Sequence, residues 1–203
     1  MKVLLTGFEP FGGESINPAQ EAVRLVKEEI AGAKVVKCYV PVVFGKAIET
    51  VYNAMKEEKP DIVICIGQAG GRFEITPERI AINCDDARIP DNEGNQPFDK
   101  KVFEDGPNAY FSSLPVKKII ENIKGKNIPA SLSNSAGTYV CNHLMYGVLY
   151  HIEKEFPNTI GGFIHVPYLH EQVINKNGIA SLSKEEIVEA IEIIIETSIV
   201  SKQ

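Results

Sequence analysis

The feature that most limits the fold is the run Ile62-Val63-Ile64-Cys65-Ile66, which contains no charged or strongly polar residue. A strand with one wet face alternates polar and apolar residues. A strand that is apolar on both faces must be covered on both, as inside a parallel sheet. Its neighbours in sequence agree: residues 2–6, 34–42, 128–133 and 160–166 read as further strands, and 45–58, 115–124, 142–155 and 183–198 as helices. Asn17-Pro18 supplies a helix N-cap followed by proline at the first helical position. Ala22, Val23, Val26 and Ile30 then fall on one helical face. Lys59-Pro60 stops the second helix, and Ser183 with Glu186 forms a capping box for the last. Residues 73–84 alternate like a β-ribbon, and 85–108 form a long polar loop, a kind that in compact domains is usually functional or mobile. Strands alternating with helices predict an α/β fold: one domain over residues 1–203, with a twisted, mostly parallel mixed sheet between two helical layers.

Charge and composition exclude several functions. The net charge of −6 comes with no Lys/Arg cluster, so nucleic acid and anionic membranes are poor partners. The apolar stretch 187–200 is interrupted by Glu189, Glu192 and Glu196 and is not expected to span a bilayer. The first residues lack the pattern of a secretory signal, which points to the cytoplasm. Cys38, Cys65, Cys84 and Cys141 are widely spaced, without a Cys-x-x-Cys pair, and are expected to be free thiols. The first three lie in strand-like segments and read as small buried hydrophobes. Cys141 and His143 lack a second ligand pair, so no metal is expected.

Open α/β sheets bind ligands beyond the carboxyl ends of their strands. Three glycine-bearing segments fall there, 7–13, 67–72 and 134–142, and the strand at 160 closes on His165-Val166-Pro167. Cys141 stands where the third segment turns into a helix. The helix N-terminus favours thiolate and offers N–H groups to an oxyanion. A cysteine and a histidine at one rim are what a cysteine-nucleophile enzyme needs, with the imidazole taking the thiol proton and returning it to the leaving amine. Glu74, Glu78, Asp85 and Asp86 are all candidates to orient the histidine, and spacing does not choose among them. Phe8 and Phe11, two aromatics in a glycine-rich loop, suit a small apolar pocket. His151 and His170 read as structural or solvent-facing.

These segments resemble a known family. Thr6-Gly7-Phe8-Glu9-Pro10-Phe11-Gly12-Gly13 with Asn17-Pro18 is similar to the N-terminal signature of pyrrolidone-carboxylate peptidases (type I pyroglutamyl peptidases). Gly67-Gln68-Ala69-Gly70-Gly71-Arg72 with Thr76-Pro77-Glu78-Arg79 resembles their glutamate signature, and Ser133 to Asn142 their cysteine signature. Phe163-Ile164-His165-Val166-Pro167 resembles their histidine segment. The resemblance implies a triad of Cys141, His165 and Glu78 that removes N-terminal pyroglutamate from peptides through a thioester, without a cofactor. It implies a slot lined by Phe8, Phe11, Tyr139 and Val140. Asn17 and Gln68 are candidate polar contacts, and Arg88 is a candidate for holding the oxyanion or the nearby loop. Tyr139 stands where phenylalanine is common in the family. The last helix, with Ile187, Val188, Ile191, Ile193, Ile194, Ile195, Ile199 and Val200, is apolar on more sides than a surface helix needs. Part of it is expected to be buried against another subunit, and the resemblance points to a homotetramer. The competing readings are a nucleotide-binding enzyme, for which neither Gly-x-Gly-x-x-Gly nor a Walker lysine is present, and a non-catalytic binding protein on the same scaffold.

Overall fold

The computed structural model describes all 203 residues. In chain order its elements are β1 (Lys2–Phe8), α1 (Pro18–Leu25), β2 (Glu29–Ile30), β3 (Ala33–Val40), α2 (Lys46–Glu58), β4 (Ile62–Gln68), β5 (Thr76–Pro77) and β6 (Ile80–Ile82). Then follow β7 (Ala109–Phe111), α3 (Val116–Lys124), α4 (Val140–Glu155), β8 (Ile160–Val166), β9 (Tyr168–Leu169), α5 (His170–Val173), β10 (Ser181–Leu182) and α6 (Lys184–Lys202). The main sheet runs β2-β3-β1-β4-β8-β5. Its four central strands are parallel, and the two edge strands are antiparallel to their neighbours. This is the expected mostly parallel mixed sheet. β4 lies between β1 and β8 with Ile62 to Ile66 all at 0% exposure, which is why it could dispense with polar residues.

Each face of the sheet carries its own core. Alternate residues of β1 and β4 (Val3, Leu5, Ile62, Ile64, Ile66) pack with α1, α3 and α6. The intervening ones (Leu4, Phe8, Val63, Cys65) pack with α2 and α4. The period-two alternation of a strand thus sorts its side chains between two helical layers.

Several local expectations change. The helix predicted through Ile30 ends at Leu25, and Ile30 lies in β2. Helical spacing is overridden by a tight hairpin, in which Ala31 (φ 48°) and Gly32 (φ 74°) return the chain into β3. The ribbon expected over 73–84 splits, with β5 pairing β8 and β6 pairing β7. Residues 128–133 are not a regular strand. They run beside 75–79 through isolated bridges, and neither Pro77 nor Pro129 has an N–H to complete a ladder. Of the three cysteines expected to be buried, only Cys65 is; Cys38 and Cys84 are half-buried. The last helix also needs less outside help than its composition suggested. Ile187, Ile191, Ile194, Ile195 and Ile199 are covered within the chain, Val188 and Ile193 are partly covered, and Val200 remains 63% exposed.

Candidate active site

β1, β4 and β8 end side by side, bringing Phe8, Gln68 and His165 to one rim. His165 shares the α4-facing side of β8 with Phe163, two residues back. Cys141 lies in the first turn of α4, whose start is at Val140, and packs against that same layer. Gly67 is the meeting point. It pairs with His165 across the sheet, and a Cβ there would lie 2.6 Å from the Phe163 ring and 3.2 Å from Cys141 Sγ. Only glycine lets the thiol descend this far onto the sheet. Thiol and imidazole are therefore on the same side, around a shared neighbour, without a hydrogen bond between them in this resting arrangement.

The imidazole is held from behind. His165 is 4% and Glu78 0% exposed, and His165 Nδ1 lies 2.7 Å from Glu78 Oε1. An ionised carboxylate only accepts, so Nδ1 carries the proton and Nε2 is left free as a base. Arg72 was quoted within the glutamate signature but not singled out as a site residue; its Nη1 donates to the same Oε1 at 2.8 Å. The other carboxylate oxygen of Glu78 is buried without a partner. Glu74, Asp85 and Asp86 do not reach His165: Glu74 accepts from Ser131, Asp85 bonds His143, and Asp86 is exposed.

Burial pushes the Cys141 thiol up to about 12; the Glu78 charge adds to this and Arg72 opposes it. Burial therefore acts against the lowering expected from the helix terminus. Burial also holds His165 below the ordinary imidazole value, against the hydrogen bond and charge of Glu78. For Glu78, burial works upward, but the hydrogen bond and charge of His165, and then the Ser133 and Arg72 side chains, bring it below the ordinary carboxylate value. At neutral pH the site therefore rests as neutral thiol, neutral imidazole and charged carboxylate. The backbone N–H groups of Val140, Cys141 and Asn142 have no acceptor within the chain, as the first turn of a helix leaves them, and lie ready for an anion.

Beside the thiol, Phe8, Phe11, Asn17, Val42, Gln68, Tyr139 and Val140 line one cavity with Cys141. Val42 was not anticipated; it follows β3 and only the packing brings it here. Asn17 Oδ1 caps α1 through Ala19 N–H, and its Nδ2 donates to Glu9 O, so much of its hydrogen-bonding capacity is spent on the loop. Gln172 donates to Gln68 Oε1, leaving the Gln68 NH2 unpaired. Tyr139 packs against Phe11 and Phe44, and its hydroxyl donates to Pro90 O in the 85–108 loop. Arg88 is exposed, outside this lining, and has no hydrogen-bond partner. The cavity holds only about 10 Å³, room for about one water.

Comparison with known proteins gives one answer throughout. The family description "Pyroglutamyl peptidase" matches residues 1–201. The pyrrolidone-carboxylate peptidase of Thermosipho africanus is 61% identical over 94% of this chain and 93% of its own. That of Clostridium botulinum is 57% identical over 98% and 93%. Among solved structures, pyroglutamyl peptidase I of Bacillus amyloliquefaciens superposes with a TM-score of 0.95 at 51% identity, covering 100% of this chain and 98% of that one. A mutant pyrrolidone carboxyl peptidase from Pyrococcus furiosus superposes at 0.96 with 46% identity and full coverage of both chains. With a matching family over almost every residue and the same fold at high identity, this chain belongs to the pyroglutamyl peptidase family.

Proposed function

We propose that this chain, acting as one peptidase domain over residues 1–203, removes the N-terminal pyroglutamyl residue from peptides with Cys141 as nucleophile, His165 as base and Glu78 as the orienting carboxylate. The observation that carries this reading is the chain of contacts Arg72–Glu78–His165 ending at an imidazole that shares Gly67 with the Cys141 sulfur. His165 Nε2 takes the thiol proton as sulfur attacks the pyroglutamyl carbonyl carbon. The N–H groups opening α4 receive the oxyanion. The carbon–nitrogen bond breaks, and imidazolium returns its proton to the leaving amine. Water then gives a proton to His165 and its oxygen to the thioester, releasing pyroglutamate and re-forming the thiol. The atoms balance with substrate and water alone.

A pyroglutamyl ring is apolar on its faces and carries one lactam N–H and one C=O. The aromatic walls fit its faces and the unpaired Gln68 amide suits the carbonyl. A cavity of about 10 Å³ does not admit the ring, so binding must move a wall. Phe11, half-buried on the turn where Gly12 (φ 64°) and Gly13 (φ 82°) adopt left-handed backbone, is the wall least tied to the core. Arg88 enters the site only if its loop shifts. No helix is long and apolar enough to cross a membrane. Family membership supports peptide substrates, and a cytoplasmic homotetramer is the assembly that the family resemblance implies.

The decisive test is hydrolysis of a pyroglutamyl-amide chromogen by wild type and C141S. The variant should keep its circular dichroism spectrum and lose on the order of 10⁴-fold or more in kcat. Equal rates would end the assignment.

A further inference from the structure

We propose that Arg72 is a positioning residue of this reaction: its guanidinium, bonded to Glu78 Oε1, keeps that buried carboxylate charged and aimed at His165 Nδ1. The inference rests on the triad assigned above and deepens it. Glu78 is wholly buried, and a lone carboxylate in such a place is costly enough to take up a proton instead. His165 supports the carboxylate through its hydrogen bond, and by charge only once it is protonated. Arg72 is the one full positive charge in contact with it, at 2.8 Å. A protonated Glu78 could not hold the Nδ1–H tautomer or stabilise the imidazolium formed during attack.

The placement of Arg72 is itself built. It follows the carboxyl end of β4, and its N–H donates to Ala69 O. Nη1 also donates to Thr76 Oγ1 at 2.5 Å, and Nη2 reaches Ser135 O at 3.5 Å, in the segment that leads into α4. One guanidinium thus joins the loop after β4, the strand leading to Glu78 and the approach to Cys141. A lysine would keep the charge but not the fork. The side chain is 32% exposed, so its outer end is wet while the Glu78 end is dry. Among titratable groups, His165 and Arg72 act on Glu78, Glu78 and Arg72 act on His165, and Glu78, Arg72 and Cys65 act on Cys141. Arg72 favours the anionic form of Glu78 and of Cys141 and disfavours imidazolium. Its removal should therefore move the acid limb of the rate profile, set by His165 and Glu78, to higher pH.

The experiment compares wild type, R72K, R72M and C141S. It records kcat and KM for the chromogen across pH, and the pH dependence of iodoacetamide labelling at Cys141. R72M should lose roughly 10- to 100-fold in kcat at neutral pH, the range expected for one charged hydrogen bond, with KM little changed. The acid limb should shift upward, thiol labelling should need higher pH, and R72K should recover most of the rate and of both shifts. If R72M does not fold, R72Q is read in its place. A variant whose acid limb coincides with wild type, whatever its rate or melting temperature, overturns the proposal and leaves Arg72 a structural clamp. The controls separate the two ideas. An active C141S defeats the assigned function, whereas an inactive C141S beside an unshifted R72M defeats only this inference.

Discussion

His165 and His143 are both buried, and each bonds a carboxylate through Nδ1, Glu78 at 2.7 Å and Asp85 at 2.8 Å. As dyads they are nearly superimposable in chemistry; what differs is the other nitrogen. His143 Nε2 accepts the Gly45 N–H at 2.8 Å, fixing the turn that starts α2 and the Phe44 ring beside it. Nε2 of His165 has no partner and shares its surroundings with a thiol. A guanidinium backs Glu78, whereas Asp85 has none; each carboxylate leaves its other oxygen buried and unpaired. A histidine–carboxylate pair is therefore not by itself a catalytic sign. The unused nitrogen, and the guanidinium behind the carboxylate, separate the proposed base from a brace.

The comparison breaks most sharply under amide substitution. E78Q should lose about 10³-fold or more in kcat because the amide favours the wrong imidazole tautomer. D85N should leave the chemistry nearly intact and cost about 1–3 kcal/mol of stability, measured by urea denaturation. If D85N loses as much turnover as E78Q, the two dyads are not functionally distinct. Next in size is G67A. Its methyl would meet the Phe163 ring and press on the Cys141 sulfur, with a cost of about 1–3 kcal/mol in stability. The displaced thiol should lower kcat by at least about tenfold. A variant with wild-type kcat would show that the thiol does not need this close approach.

Acid should act on the Glu78–His165 pair through stability. Glu78 holds its proton more weakly folded than unfolded, so its contribution is complete above the unfolded value near 4.5 and is lost as pH falls through the lower folded value. His165 is also depressed, so the unfolded chain takes up its proton below 6.5 while the folded chain resists, and stability falls from there downward. Urea midpoints measured from pH 7 to 4 should decline in wild type and less steeply in H165Q. Parallel curves would refute the assignment of this loss to His165. The smallest effect is Y139F, which removes the bond to Pro90 O and should cost about 1 kcal/mol or less, with a change in KM rather than kcat.

Much of this was legible in the chain. The uniform apolarity of 62–66 required two covered faces, the capping box at Ser183 was visible in four residues, and the strand at 160–166 matches β8 residue for residue. The rim segments carried the family resemblance, and with it the choice of Glu78 over Glu74, Asp85 and Asp86. Residues 168–182 gave no periodic signal, because β9, α5 and β10 are each too short to show one. The hairpin at Ala31-Gly32 prevailed over a helical pattern for the same reason: one turn outweighs a weak period.

The sequence by itself determined the layered α/β architecture, the rim at which chemistry can occur and the residue types gathered there, because periodicity, caps and turn residues act over a few positions. It could not determine what depends on three-dimensional enclosure. Only the tertiary structure decided that the thiol is raised rather than lowered, that Arg72 backs Glu78, that His143 is braced by Gly45, and that α6 is largely covered by its own chain. Those outcomes come from desolvation and from contacts that only the folded chain makes, His143 with Gly45 across 98 positions and Arg72 with Glu78 across the loop between β4 and β5, and neither is written in local spacing.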